Sequence, residues 1–90
     1  MDRNLETVET EARISGYDVE ERLHLAERRY ARAREQLARV RDECASLDRQ
    51  ASSDPAALEA ARVRVQKAHA RCVSIRHEIA ELERLLDFTS

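Results

Sequence analysis

Apolar residues recur along this chain at alternating spacings of four and three. Val19, Leu23, Ala26, Tyr30, Ala33, Leu37, Val40, Cys44, Leu47 and Ala51 form one run, and Leu58, Ala61, Val65, Ala68, Cys72, Ile75, Ile79, Leu82 and Leu86 form a second. Such a repeat keeps one narrow stripe of an α-helix facing a partner helix, the seam of a coiled coil. The pattern predicts two long helices, at 19–51 and 55–87. Between them Ser52-Ser53-Asp54-Pro55 reads as a stop and a restart, with a turn at 52–54, Asp54 as N-cap and Pro55 in the first helical position, where its missing N–H is harmless.

A link this short makes the two helices antiparallel neighbours. Reflecting one run onto the other about the turn matches Leu47 with Leu58, Cys44 with Ala61, Val40 with Val65, Leu37 with Ala68 and Ala33 with Cys72. The match continues through Tyr30 with Ile75, Ala26 with Ile79, Leu23 with Leu82 and Val19 with Leu86, nine layers without a slip. Several layers set a large side chain against a small one, as interdigitated packing prefers. The fold class expected is all-α: an antiparallel two-helix coiled-coil hairpin over residues 18–90, preceded by an acidic N-terminal segment at 1–17.

That segment has Leu5, Val8 and Ala12 on one helical face, then Ser15-Gly16 as a break. It is read either as a short third helix or as a stretch that stays disordered until a partner binds. Asp18 and Glu21 have capping-box spacing, which places the expected start of the first long helix near Val19.

A two-stripe rod buries little surface for its length, so further burial is expected from assembly, most simply a homodimeric four-helix bundle. Val63, Ala70, Val73 and Ala80 form a second apolar stripe on the second helix, nearly opposite its seam. Valine is a mediocre helix former, so propensity does not account for Val63 and Val73 there. Ala31, Ala38 and Ala45 make a ridge on the first helix, small enough for another helix to approach closely. These seven residues are the candidate protein interface.

Composition changes the picture through charge. The chain has 16 basic and 18 acidic residues, a net charge of −2, so it has no overall pull on polyanions. The distribution is banded, however. Residues 28–41 hold six arginines against Glu35, and residues 60–77 hold five bases and no acid, a belt of +10 between acidic ends. Folding the hairpin gathers Arg34, Arg41, Arg62 and Arg76, with His69, along one edge, the candidate contact for carboxylates or other anions. The acids they meet are those of a second copy packed with a stagger, those of residues 2–21, or those of another protein's helix. The alternative is a dimeric bundle that grips RNA or DNA across the belt, although the belt has no aromatic residue beyond Tyr30 and no Gly-rich phosphate loop.

Candidate chemistry is sparse. His69 and Cys72 stand three apart, but no paired C-x-x-C element or four-ligand spacing accompanies them, so no metal or other cofactor is expected. No Ser or Cys has a His and an acid placed to activate it, so the chain is not expected to be an enzyme. Cys44 and Cys72 lie in seam layers 11 residues apart, about 16 Å along the rod, too far for a disulfide within one hairpin. The first thirty residues lack a signal-like apolar run, and no stretch approaches the roughly 18 apolar residues of a membrane span. The expectation is a cytoplasmic interaction module of adaptor, cochaperone or inhibitor type, without contact to membrane.

Overall fold

The computed structural model describes residues 2–52 and 54–89, with side chains described for 18–52 and 54–88. The chain forms two helices, α1 at Asp2–Arg49 and α2 at Pro55–Thr89, packed against each other as an antiparallel hairpin. The molecule is a rod of 69 × 27 × 15 Å.

The seam is where the heptad pattern places it. All eighteen residues of the nine layers are buried or half-buried, and among the other described side chains only Asp18 and Ala57 are not exposed. One buried cluster holds Ala33, Leu37, Val40, Cys72 and Ile75, with Tyr30, Val65, Ala68 and Ile79 packed on it. A second, toward the open end, holds Val19, Ala26 and Leu82, with Leu23, Ile79 and Leu86 around it. The most enclosed residues of the seam are small: Ala26 and Ala61 are each 1% exposed. A methyl group at these layers lets the helix axes close in on the residue opposite, Ile79 across from Ala26 and the small Cys44 across from Ala61.

The turn is built as its residues dictate. The Gln50 N–H closes the end of α1 on the Leu47 carbonyl at 3.2 Å, and α2 opens with the Leu58 N–H on the Asp54 carbonyl at 3.1 Å. The Asp54 carboxylate accepts from the Ala56 N–H at 3.1 Å, satisfying one of the first donors of α2. Asp54→Ala is expected to cost about 1 kcal/mol, a fall in melting temperature of about 4–8 °C in a chain of this size. An unchanged melting curve would show the cap to be idle. Ala51, the last residue of the predicted first run, is exposed because α1 ends at Arg49, and Ser53 lies outside the described residues.

The helix ends differ from the expected ones. α1 does not begin near Val19 but runs through Ser15 and Gly16 from Asp2. One glycine in a helix interior costs about 1 kcal/mol relative to alanine, too little to stop a helix whose neighbours favour it. Asp18 accordingly acts as an intrahelical partner, with Arg22 Nε at 2.9 Å from its carboxylate, rather than as a cap. The predicted face of Leu5, Val8 and Ala12 lies outside the described side chains. α2 continues past 87 to Thr89, there being no Gly or Pro after Pro55 to end it.

Both cysteines are free thiols, Cys72 buried and Cys44 half-buried, in the separate layers expected of them. No helix among the described residues is long and apolar enough to cross a membrane.

Candidate protein-interaction face

An antiparallel hairpin has two long edges, and their charge is decided by the residues that flank the seam. On one edge the mirrored positions are complementary. Arg29 of α1 faces Glu78 of α2, and its Nη1 donates to both carboxylate oxygens, at 3.1 and 3.2 Å. Further along the same edge Glu43 and Arg64 line a common shallow hollow.

The opposite edge is mostly not complementary, with Glu27 across from Arg76 as the one acid–base match in its register. Arg34 and Arg41 stand seven apart on α1, while Arg62, His69 and Arg76 stand at sevens on α2, so the register sets Arg41 across from Arg62 and Arg34 across from His69. Among the described residues no ion pair between the helices bridges this edge. Along it runs a groove of about 550 Å³ between Arg34 and Arg41 on one wall and His69, Val73 and Arg76 on the other, with Tyr30, Leu37 and Cys72 at its base. The Arg34 guanidinium lies over the Tyr30 ring at 5.9 Å from its centre, which holds that side chain at the rim. A second hollow of about 360 Å³, lined by Val73, Arg76, His77 and Ala80, continues from it along α2. Among the described residues no carboxylate forms an ion pair with Arg34, Arg41 or Arg76.

The structure therefore brings together four of the predicted residues, Arg34, Arg41, Val73 and Arg76, and sets Ala80 beside them. Arg62 is separated from the group: its guanidinium turns toward Glu59 at 3.9 Å, and it does not line the groove. Val63 and Ala70 are exposed on the outer side of α2, Val63 at 38%. Ala31, Ala38 and Ala45 are exposed in one row on α1, outside the groove lining.

Three groove residues are seam members that the heptad pattern assigns to the core alone. Tyr30 is half-buried, and Leu37 and Cys72 are buried but reach the groove base with their edges. Their shared heptad position, on the flank nearest the arginine rows, is the signal that marks them. Leu25 and Leu85, each 51% exposed, are large apolar residues outside both runs, and Phe88 at the end of α2 is 92% exposed.

No group of three or more His, Cys, Asp or Glu side chains suited to a metal ion occurs among the described residues. His69 and Cys72 share the groove wall and base, but among the described residues no third donor joins them. The arrangement thus offers fixed positive charge around an apolar strip, which is the chemistry of recognition by complementary charge and burial. Comparison with known proteins adds no relative: no family model, no curated protein and no solved structure matches this chain.

Proposed function

We propose that this chain is a small, non-enzymatic protein–protein interaction module of the cytoplasm, of adaptor, cochaperone or inhibitor type, that seats an amphipathic helix along the Arg34–Arg76 groove. The observation that carries this reading is the unequal pair of edges: one edge is bridged by the Arg29–Glu78 ion pair, while on the other, among the described residues, Arg34, Arg41 and Arg76 form no ion pair around an apolar base. A helix with an apolar stripe flanked by carboxylates would cover Tyr30 and Val73 and place its acids against the guanidiniums, whose forked donors suit carboxylates. Docked in this way by a second copy, the hairpin becomes part of a homodimeric four-helix bundle.

The test is a point change on the groove wall. Val73 is 39% exposed and outside the seam, so Val73→Asp leaves the helical circular dichroism intact. It weakens association by about tenfold or more, since it replaces apolar burial with a desolvated charge next to the partner's acids. A photo-crosslinker at Val73 captures protein, whereas one at Lys67, on the other flank of α2, captures none. Equal capture from both positions, or an affinity indifferent to Val73→Asp, would remove the reading.

A second reading is favoured by one observation, Arg34, Arg41 and Arg76 without an ion pair among the described residues beside the half-buried Tyr30: phosphates of RNA or DNA in place of carboxylates. It requires binding that falls steeply with salt and weakens in Arg34→Ala with Arg76→Ala. Absence of any complex with nucleic acid at low ionic strength dismisses it.

A further inference from the structure

The groove has a candidate occupant in the chain itself. Leu86 is the last seam residue of α2, and it lies at the layer of Val19, so α1 continues N-terminally beyond the last layer that α2 supplies. A helix that runs unbroken from Asp2 to Arg49 cannot bend its first turns back onto its own belt, which begins about 30–40 Å further along the same rod. Those turns can meet an arginine groove only on another molecule.

Their sequence has the chemistry the groove lacks. Residues 2–17 carry four acids against Arg3 and Arg13. Helical spacing places Asp2, Glu6 and Glu9 on one face, adjoining the apolar stripe of Leu5, Val8 and Ala12. The spacing along the axis also fits. Asp2 and Glu9 are seven residues apart, as are Arg34 and Arg41. An antiparallel approach that sets Asp2 at Arg41 sets Glu9 at Arg34 as well, with Glu6 between them at the level of Leu37. The same approach is reciprocal, because each copy then offers its N-terminal turns to the groove of the other about a twofold axis.

We infer that the arginine groove is the receptor for the acidic first turns of α1 from a second copy, forming a reciprocal antiparallel dimer. This rests on the reading of the groove as a helix-binding site and names its occupant. Burial of the apolar stripe supplies attraction, and the carboxylate–guanidinium pairs set the stagger that keeps belt from facing belt.

A charge swap on the full chain tests it. Wild-type chain sediments as a dimer. The variants Arg34→Glu/Arg41→Glu and Asp2→Arg/Glu9→Arg each dimerise at least about tenfold more weakly, because each sets like charges together at both contacts. Mixed in equal amounts, they recover wild-type affinity, since the acidic turns of the first variant then meet the intact arginines of the second, and its arginine turns meet the new glutamates. Circular dichroism shows both variants to be as helical as the wild type. A monomeric wild type, undiminished dimerisation of either variant, or a mixture that fails to reassociate would overturn the assignment. If the wild type is monomeric but a crosslinker at Val73 still captures a different protein, the helix-binding reading stands and only the occupant is wrong.

Discussion

Ile75→Asp eliminates the hairpin at 25 °C, reducing the circular dichroism at 222 nm to that of an unpaired, partly helical chain and removing the cooperative melt. Ile75 is 2% exposed and sits in the central cluster, where Tyr30 packs against it. The substitution removes about 2–5 kcal/mol of apolar burial and packing, and in addition confines a carboxylate where no donor waits for it. A domain of this size has a total stability of order 5 kcal/mol, so the change exceeds what the fold can lose. Val73→Asp, two residues away, makes the same chemical change on the groove wall and keeps its helicity. The contrast between neighbouring positions is what identifies the seam. A cooperative, wild-type melt for Ile75→Asp would mean that α1 and α2 do not pack along this stripe.

Ala26→Leu is expected to destabilise by about 1–3 kcal/mol although it adds apolar surface. Alanine and leucine differ little in helix propensity, so the change reports the fit between the helices alone. Ala26 is 1% exposed, with Ile79 at the same layer, and the close approach there depends on its single methyl group. Three further carbons force the axes apart and loosen the layers on either side. Ala61→Leu, at the equally enclosed layer near the turn, is expected to behave alike. The midpoint of urea denaturation reads the effect directly, and a raised midpoint for either variant would show unfilled space where the structure shows none.

The core of this molecule is legible from residue spacing because a two-helix seam has only one periodicity and one turn. Once Asp54-Pro55 marks the restart, Val19 and Leu86 are committed to the same layer by counting alone. The beginning of α1 is not legible in that way. Gly16 carries the composition of a break, yet its cost is small beside the helix-forming residues on both sides, and local signals of about 1 kcal/mol do not decide an element of this length.

The groove is legible in part. Arg34, Arg41 and Arg76 follow from heptad position, which determines the edge of the hairpin each occupies. Arg62 has the same position but is drawn to Glu59, one turn earlier on its own helix, a choice among side-chain rotamers that periodicity does not contain. Leu37 and Cys72 are buried in the seam and also form the base of the groove, a double role that heptad assignment to the core does not contain. The partner is written in none of these positions, since a helical hairpin is a scaffold and its task resides in the face it presents.

The mirrored seam also prescribes an order of events in folding. Its innermost layer joins residues only 11 apart in the chain, Leu47 and Leu58, whereas its outermost joins Val19 to Leu86, 67 apart. The entropy lost in closing a loop rises with its length, so encounters next to the turn come first and each completed layer shortens the search for the next. The two strands of helix close like a zip fastener, and amide hydrogen exchange should reveal the reverse journey, opening earliest around Leu23 and Leu82 and latest around Cys44 and Ala61.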